Sequence, residues 1–345
     1  MDPAQLLSDL TAGRTAALAR AISVVENARP GFEQLLAGIH PRLGRARRIG
    51  ITGPPGAGKS SLTERLVTAW RTRGLRVAVV AVDPTSPFKG GALLGDRIRM
   101  ESIALDSGVF IRSMATRGSL GGLATTTREV CDVLDAADFD RIIVETVGVG
   151  QSELDVGRTA DSTVLVLVPE SGDGIQTLKS GIMEIADVFV VNKADRPGAE
   201  KLRQEIEVTL GIRQGNAFRN VRAHHGFRGK VPRAAQDPPG QPTAWAQPVV
   251  LTVAVKGEGV EELVTALDAH YDSLEAGGGL VERRRRRFLE RTREVVERAA
   301  RRWVWNETGA QRHIDERLDD IVAGRVSPYE VAVEVLEELK QGERV

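Results

Sequence analysis

Short apolar runs alternate with helical patterns through the middle of the chain. Seven runs are rich in β-branched residues: RIGIT (48–52), VAVVAV (77–82), VFIRS (109–113), RIIVET (141–146), STVLVLV (162–168), VFVVN (188–192) and VVLTV (249–253). Continuous apolar strands that alternate with helices are typical of a mostly parallel sheet covered on both faces. We therefore predict an α/β fold with a mostly parallel central sheet flanked by helices. Ligands of such sheets bind at the carboxyl ends of the strands.

Helical periodicity dominates both ends of the chain. Near the amino terminus, apolar residues recur at helical spacing at Leu6, Leu7, Leu10, Leu18, Ile22 and Val25. Beyond residue 280 a second stripe follows, and SPYE (327–330) has the cap, proline and glutamate of a helix start. We predict an N-terminal helical extension over 1–45, a central domain over 46–275 and a C-terminal helical arm over 280–345. Because two helices bury little surface alone, the arm should pack on its own domain or on a second subunit.

Residues 211–248 interrupt the alternation of strands and helices. They contain six basic side chains and one acidic one, Asp237, among many glycines and prolines, and they show no sustained period. We interpret this stretch as a long surface loop, and a specific contact with an anionic partner is the alternative.

Composition narrows the class of protein. The 345 residues carry 47 basic and 47 acidic side chains, so net charge favours neither nucleic acid nor membrane as a partner. We interpret the run RRRRR (283–287) as a solvated helix face and the single cysteine, Cys131, as core packing. Since the amino terminus lacks a signal-peptide pattern and no run is apolar enough to span a membrane, we expect a cytoplasmic protein without nucleic-acid or membrane partners.

The segment GPPGAGKS (53–60) matches the phosphate-binding pattern G-x-x-x-x-G-K-[ST]. It follows a predicted strand and precedes a helical pattern, which is the context that the motif requires. Glycines allow backbone amides to surround phosphate oxygens at the start of a helix. Lys59 can reach the β- and γ-phosphates, and the Ser60 hydroxyl can ligate Mg²⁺. We therefore predict a P-loop NTPase whose phosphate-binding residues are Gly53, Pro54, Pro55, Gly56, Ala57, Gly58, Lys59, Ser60 and Ser61.

The segment NKAD (192–195) follows the sixth predicted strand and indicates which base is bound. The Asp195 carboxylate can accept two hydrogen bonds from the ring N–H and 2-amino groups of guanine, whereas adenine offers no such donor pair. The stem of Lys193 can lie over the base. After the last strand, TVAVKGEG (252–259) resembles the loop that closes a guanine pocket. Its residues near the base are Ala254, Val255 and Lys256.

Acidic residues at two further strand ends are candidates for binding the metal and sensing the γ-phosphate. Glu145 ends an apolar strand, so its charge should face the site, and Gly148 can direct an amide toward the γ-phosphate. Asp83 can hold a Mg²⁺-bound water or orient the attacking water, and a turn-capping role before Pro84 is the alternative. Asp96 follows a glycine-rich stretch and could join the metal when that stretch closes.

Three segments are specific enough to indicate a family. They are DPTSPFKGGALLGDRIRM (83–100), RSMATRGSLGGLA (112–124) and ETVGVGQSE (145–153). Together they resemble the MeaB/ArgK family of P-loop GTPases, and the likeness extends from ALARAISVVEN (17–27) to SPYEVAVEVLEEL (327–339). The resemblance implies a GTP-hydrolysing chaperone that assists loading of adenosylcobalamin into an acyl-CoA mutase, such as methylmalonyl-CoA mutase, and protects or reactivates that mutase. It also implies a homodimer formed through the C-terminal arm.

The resemblance also assigns roles to individual residues. It implies that phosphate and metal are held by Lys59, Ser60, Asp83, Asp96 and Glu145, and the base by Asn192, Lys193 and Asp195. It further implies that PESGDGIQTLKSG (169–181), which contains Lys179, couples the nucleotide to the partner. The stretch 211–248 is longer, and the arm after residue 280 shorter, than is usual in the family.

The rate of hydrolysis and the class of function can also be predicted. The sequence identifies neither an arginine finger nor a general base, so we predict slow intrinsic hydrolysis that a partner accelerates by ordering residues 83–100 and 169–181.

Three other functions are the alternatives to a GTP-hydrolysing chaperone. They are an ATP-dependent small-molecule kinase, a nickel-insertion GTPase metallochaperone and a binding scaffold with an inactive nucleotide site. NKAD argues against the kinase, because it indicates guanine. The lack of a histidine-rich tract or of Cys-x-x-Cys argues against the nickel metallochaperone. The intact phosphate and metal residues argue against the inactive scaffold.

Overall fold

The computed structural model describes residues 2–83, 100–115, 122–146, 152–169, 182–213 and 245–342. The chain divides into two compact units, Met1–Arg287 and Phe288–Val345. The first unit contains the predicted sheet, and the described part of the second is helical. Within the described ranges, no helix combines the length and apolar character needed to cross a bilayer.

The first unit is built around one sheet of seven strands. They are β1 (Arg47–Thr52), β2 (Val77–Asp83), β3 (Val109–Ala115), β4 (Arg141–Thr146), β5 (Ser162–Leu167), β6 (Val188–Asn192) and β7 (Val249–Thr252). All pairs are parallel, and the order is β3-β2-β4-β1-β5-β6-β7. The seven predicted strands and the P-loop type of α/β fold are therefore confirmed.

Alternating strand side chains explain why the apolar runs are continuous. Val77 and Val79 of β2 belong to one core, and Ala78 and Val80 belong to the core on the opposite face. The first face is covered by α4 (Lys59–Thr72), α5 (Glu101–Ala104) and α10 (Val260–Ala276). The other face is covered by α1 (Pro3–Thr11), α2 (Thr15–Glu26), α3 (Phe32–Ile39), α6 (Gly122–Ala136), α7 (Ser152–Thr159), α8 (Ile182–Ile185) and α9 (Ala199–Arg213).

The placement of these helices marks the point of the carboxyl edge at which an open α/β sheet binds its ligand. Strands β1 and β4 are neighbours, but the helices that follow them, α4 and α7, pack on opposite faces. Open α/β sheets bind ligands at such a point, because the two following loops diverge and leave room between them. The P-loop segment follows β1 and Glu145 lies near the end of β4, so both predicted motifs meet there.

The amino-terminal helices α1, α2 and α3 form part of the core of the first unit. Leu10, Ile22 and Leu35 are almost completely buried and belong to the same apolar cluster as strands β2 and β4. Asp2 caps α1 by accepting a hydrogen bond from the Ala4 amide at 2.9 Å. Cys131 of α6 lies in this cluster too, and burial raises the pKa of its thiol to about 11. The interpretation of Cys131 as core packing is confirmed.

The second unit contains three helices in its described residues. The first, α11 (Gly279–Glu307), begins in the first unit, and α12 (Ala310–Val322) and α13 (Pro328–Gln341) follow it. The predicted capping box is confirmed, because the Ser327 hydroxyl accepts from the Glu330 amide at 3.2 Å and the Glu330 carboxylate accepts from the Ser327 amide at 2.7 Å. The sequence pattern predicted two helices in this arm, and α12 is the additional one.

Most of the predicted loop over 211–248 lies outside the described residues. Residues 211–213 are the end of α9 and not loop. At the other end, the Trp245 indole donates to the Asp187 carbonyl at 2.8 Å, and the Gln247 amide donates to the Ala186 carbonyl at 2.6 Å. These two hydrogen bonds hold residues 245–247 beside the start of β6.

The run RRRRR (283–287) lies in the first turns of α11. Two of its members, Arg285 and Arg286, are exposed, as expected of a solvated face. The other three bind buried aspartates, so the expectation is wrong for them. They are Arg283, Arg284 and Arg287.

Asp161, which precedes β5, is the first of these aspartates. Its side chain is 1% exposed and pairs with Arg284 and Arg287. It also accepts a hydrogen bond from the Arg48 amide at 3.0 Å. Burial raises the pKa of Asp161, but the two guanidinium groups and the amide outweigh burial and hold that pKa below its usual range. The carboxylate is therefore held in its charged form inside the protein.

Asp187, which precedes β6, is the second buried aspartate. It accepts hydrogen bonds of 2.7 and 2.9 Å from Arg283 and another of 2.9 Å from the Thr163 amide. His270 lies with Nε2 3.3 Å from Asp187 and Nδ1 2.8 Å from the Ser162 hydroxyl. Burial raises the pKa of Asp187, and the neighbouring His270 and Arg283 outweigh the effect of burial, so the pKa is lowered. Asp161 and Asp187 both lie at the amino edge of the sheet.

Candidate nucleotide site

The loop between β1 and α4 requires glycine at two positions, because each position has a positive φ and lies too close to a neighbouring group for a Cβ atom. Gly53 and Gly58 have φ values of 140° and 87°, in the region that favours glycine. A Cβ atom on Gly53 would lie 2.1 Å from the Val166 carbonyl oxygen, and one on Gly58 would lie 2.4 Å from the Asn192 side-chain nitrogen. The P-loop therefore packs against β5 and against the end of β6 so closely that a Cβ atom at either glycine requires a neighbouring group to shift.

Lys59 is the first residue of α4 and is 6% exposed. Its ammonium donates to the carbonyls of Gly53 at 2.7 Å and Pro54 at 3.1 Å. The side chain is therefore folded back over the loop, beside the amino end of α4, where backbone amides favour anions. A phosphate at this position would compete for the ammonium with neutral carbonyl groups, which are weaker partners.

Glu145 lies one residue before the end of β4 and is 1% exposed. One carboxylate oxygen accepts from the Ser60 hydroxyl at 2.6 Å, and the other accepts from the Thr63 hydroxyl at 2.8 Å. Glu145 also stands opposite Ile51 of β1, which fixes it beside the P-loop. The structure thus brings together two residues predicted to bind the metal, Ser60 and Glu145.

These two side chains fit a magnesium ion. Mg²⁺ prefers hard oxygen ligands and commonly takes one or two protein groups together with phosphate oxygens and waters. A hydroxyl at the start of α4 and a buried carboxylate at the end of β4 supply that donor set. Asp83 ends β2, and its neighbour Val82 pairs with Thr146, so the backbone of Asp83 lies beside the end of β4.

Asn192 joins the P-loop to the turn after β7. Its side-chain nitrogen donates to the Ala57 carbonyl at 2.8 Å. Its side-chain oxygen accepts from the Thr252 hydroxyl and from the Ala254 amide, each at 3.1 Å. The side chain is buried, so these bonds are shielded from water. The first residue of NKAD therefore shapes the site through protein contacts.

The remainder of NKAD forms a tight turn at the same edge of the sheet. Lys193 has a φ of 57°, which is uncommon for a residue with a side chain. The Ala194 amide donates to the Thr252 carbonyl at 3.0 Å, and the Arg196 amide donates to the Lys193 carbonyl at 2.9 Å. Lys193 is half-buried and Asp195 is exposed. The carboxylate of Asp195 is thus accessible at the carboxyl end of β6.

The short 3₁₀ turn over Ala254–Lys256 follows β7. Ala254 is buried in the core and Val255 is exposed. From α4, the Arg65 Nε atom donates to the Ala254 carbonyl at 3.1 Å, and Nη2 donates to the Val255 carbonyl at 2.7 Å. The predicted base-closing residues therefore stand between Asn192 on one side and Arg65 on the other.

Comparison with known proteins identifies the family. The sequence profile described as Methylmalonyl Co-A mutase-associated GTPase MeaB matches residues 18–308. The chain belongs to the MeaB family. Its members are GTPases, and this chain is a GTPase. The resemblance stated from the sequence is confirmed.

Individual relatives agree with the family profile. A protein of Pyrococcus abyssi that is named as a GTPase is 43% identical to this chain. The match covers 98% of this chain and 97% of the length of that protein. GTPase ArgK of Escherichia coli is 34% identical over 94% of this chain and 93% of its own length. A solved crystal structure titled LAO/AO transport system kinase has a TM-score of 0.66 and 28% identity, covering 98% of this chain and 97% of that one.

Several predicted residues of this MeaB-family chain lie outside the described residues. They are Asp96, Gly148 and Lys179, and for Asp83 only the backbone is described. The site also contains two residues that lie outside the predicted motifs, Thr63 and Arg65. Thr63 lies one helical turn after Ser60, so helical spacing from the P-loop could have identified it. Arg65 bonds to a turn 189 residues away, and no local pattern indicates that contact.

Proposed function

We propose that this MeaB-family GTPase is a chaperone for an adenosylcobalamin-dependent acyl-CoA mutase, such as methylmalonyl-CoA mutase. In this role it assists loading of the cofactor and protects or reactivates the mutase. The observation that carries the proposal is the match of residues 18–308 to the profile of mutase-associated GTPases. That range includes the whole of the described sheet and the start of the helical arm.

The phosphates of GTP or GDP bind residues 53–61 in this proposal. Lys59 exchanges the carbonyls of Gly53 and Pro54 for oxygens of the β- and γ-phosphates, because a phosphate is a stronger partner for a buried ammonium than a neutral carbonyl. The ammonium and the loop amides then stabilise charge on the phosphoryl group as it is transferred to water. Positioning and electrostatic stabilisation are the main tasks in this class of reaction.

Ser60 and Glu145 would hold Mg²⁺ in the proposed site, with Asp83 and Asp96 as further candidates. When bound, the ion would neutralise negative charge on the phosphates. The Ser60 hydroxyl gives its proton to a hydrogen bond with Glu145, so its lone pairs are directed elsewhere and can meet a cation. Thr63 donates to the same carboxylate and keeps it in place.

The proposed switch uses Gly148, which is indicated by its position after β4, and Lys179, which is assigned from the family resemblance. Gly148 directs its amide to the γ-phosphate, and Lys179 lies in the segment 169–181, which couples the nucleotide state to the mutase. We further propose that intrinsic hydrolysis is slow and that the mutase accelerates it by ordering residues 83–100 and 169–181. Turnover by the isolated protein near ~10 s⁻¹, typical of ordinary enzymes, would contradict this part of the proposal.

The proposed base site consists of Lys193, Asp195 and residues 254–256. Asp195 is accessible at the same edge of the sheet as the P-loop, which supports its contact with the guanine N–H and 2-amino groups. The change Asp195→Asn should raise the Kd of GTP at least about tenfold and favour xanthosine nucleotides, because the carboxylate supplies the pair of acceptors. An unchanged Kd for GTP would remove the assignment.

A small-molecule kinase is the second candidate, because the solved relative is titled LAO/AO transport system kinase. A kinase of that type would use ATP. Competition of ATP and GTP for the purified protein separates the two candidates, since the base site proposed here excludes adenine. Equal affinity for the two nucleotides would favour the kinase and contradict the guanine site.

The helical arm is proposed as a homodimer interface. Large apolar side chains of the second unit are exposed, and a surface of this kind marks a protein contact. They are Phe288, Leu289, Val295, Val296, Trp303, Trp305, Leu318, Val322, Tyr329, Val333 and Leu336. Sedimentation velocity should give twice the chain mass of 37.3 kDa, and the change Val296→Asp should shift the protein toward the monomer.

The mutase proposal is tested by binding under nucleotide control. The immobilised protein is loaded with GDP or with a non-hydrolysable GTP analogue and is exposed to its native cell extract and to a purified cobalamin-dependent mutase. Recovery of the mutase in amounts that depend on the nucleotide supports the proposal. The Asp195→Asn variant, incubated with the same guanine nucleotides at a concentration that saturates the wild type and lies well below the raised Kd of the variant, is the matched control and should lose the dependence. Absence of any mutase in both nucleotide states would overturn the role.

A further inference from the structure

We propose that Arg65 is a positioning residue for guanine recognition, because it fixes the 3₁₀ turn over Ala254–Lys256 to the helix that begins at the phosphate site. The inference rests on the base site proposed above and adds a residue that the sequence motifs do not contain. Arg65 lies on α4, six residues after Lys59, or about 9 Å further along the helix axis. The same rigid helix therefore connects the phosphate end of the site to its base end.

The geometry of the contact suits arginine and no other residue. Arg65 directs Nε to the Ala254 carbonyl at 3.1 Å and Nη2 to the Val255 carbonyl at 2.7 Å. Two neighbouring carbonyls of one turn thus receive two donors of one planar guanidinium group. A lysine ammonium is a single point on a flexible stem and cannot hold both carbonyls in this arrangement.

The outer half of the turn depends most on this contact. Ala254 is 2% exposed, and its amide is already held by Asn192 at 3.1 Å. Val255 is 69% exposed, so burial contributes little to its position. The turn closes with hydrogen bonds from the Lys256 amide to Val253 and from the Gly257 amide to Ala254. Arg65 is the described side chain that ties the Val255 peptide to the rest of the domain.

Loss of Arg65 should therefore weaken contacts with the base and spare contacts with the phosphates. Removing the two hydrogen bonds frees the peptide of Val255, whereas the P-loop keeps its own contacts through Asn192 and Lys59. The test compares two probes, GDP and inorganic triphosphate, with wild-type protein and the variants Arg65→Met and Arg65→Lys. Isothermal titration calorimetry in the presence of Mg²⁺ gives the Kd of each.

Arg65→Met should raise the Kd of GDP about tenfold, because hydrogen bonds from a charged group are lost at a partly exposed site. The Kd of inorganic triphosphate should stay unchanged. Arg65→Lys should resemble Arg65→Met, because it keeps the charge and loses the paired geometry. An unchanged Kd for GDP in Arg65→Met, an equal rise for both probes, or wild-type behaviour of Arg65→Lys would overturn the proposal.

Arg73→Met is the matched control. Arg73 is the cap residue that follows α4, and it reaches α10 through Glu261 at 2.6 Å and Asp268 at 3.4 Å. These hydrogen bonds of Arg73 do not involve the turn. Its loss should leave the Kd of GDP unchanged. A rise equal to that of Arg65→Met would assign the effect to packing of α4 on α10 and would overturn the role of Arg65. Asp195→Asn separates the failure of the base site from the failure of the role of Arg65. If Asp195→Asn leaves the Kd of the guanine nucleotide unchanged, the proposed base site is wrong. If Asp195→Asn raises that Kd and Arg65→Met does not, only the role of Arg65 is wrong.

Discussion

The two edges of the sheet hold their buried charges in different ways. At the amino edge, Asp161 and Asp187 are bonded to arginines of α11. At the carboxyl edge, the described partners of Lys59 include two carbonyls, and those of Glu145 include two hydroxyls. Breaking a buried ion pair leaves an uncompensated charge, whereas a carbonyl or hydroxyl partner can be exchanged for a phosphate or a metal at modest cost. The amino edge is therefore suited to permanent contacts, and the carboxyl edge is suited to binding and release.

The largest expected effect is that of Asp161→Asn. Removing the carboxylate charge leaves Arg284 and Arg287 close together without their shared counterion, so the free energy of unfolding should fall by about 3–5 kcal/mol. Urea denaturation of the purified protein measures it. Asp138→Asn is the control, because Asp138 pairs with Arg42 and Arg45 at the surface and should lose less than about 1 kcal/mol. Equal losses in the two variants would remove the distinction between the edges.

The sequence predicts the carboxyl edge far better than the amino edge, for a physical reason. The P-loop and NKAD act through backbone conformation and closely spaced residues, so their chemistry is visible in short patterns. The pair of Arg287 and Asp161 joins residues that are 126 positions apart, and only the folded topology brings them together. For that reason the pattern RRRRR predicts a solvated face, although three of its arginines bind buried aspartates. For the same reason no local pattern indicates Arg65, although local patterns do predict the strands and the P-loop around it.

The second prediction concerns close packing at the carboxyl edge. Gly58→Ala should lower the free energy of unfolding of the nucleotide-free protein by about 2–4 kcal/mol, because it adds a left-handed backbone cost and pushes the Asn192 side chain from its hydrogen bonds. Gly56→Ala is the matched control. Gly56 also has a positive φ, of 75°, but a Cβ there meets nothing within 4 Å, so only the backbone cost of about 1–2 kcal/mol remains. Indistinguishable losses would show that Asn192 is not a rigid clamp.

The third prediction concerns the hydroxyl that the motifs did not reveal. Thr63→Val keeps the shape of the side chain and removes a donor to the buried Glu145 carboxylate, so the free energy of unfolding should fall by about 1–3 kcal/mol. Thr63→Ser keeps the donor and should recover most of that loss. Thermal or urea unfolding of the three proteins measures the difference. If valine and serine have the same effect, packing at this site matters and the hydrogen bond does not.

The smallest effect is the change of stability with pH, and its sign follows from the amino edge. Asp161 and Asp187 have folded-state pKa values below the unfolded value of about 3.9. Arg287 and Arg284 outweigh the effect of burial at Asp161, and His270 and Arg283 outweigh it at Asp187. The contribution of the two aspartates to stability is therefore complete above about pH 5 and is lost as the pH falls through the unfolded and then the folded pKa values, since the unfolded chain binds protons first.

The free energy of unfolding measured between pH 6 and about pH 3 should decline less steeply in Asp161→Asn than in the wild type, because one of the two groups no longer titrates. Asp138→Asn should keep the steep decline of the wild type. A decline of the same steepness in Asp161→Asn and the wild type would mean that the buried pairs of the amino edge do not control acid stability, and the contrast between the two edges would then rest on geometry alone.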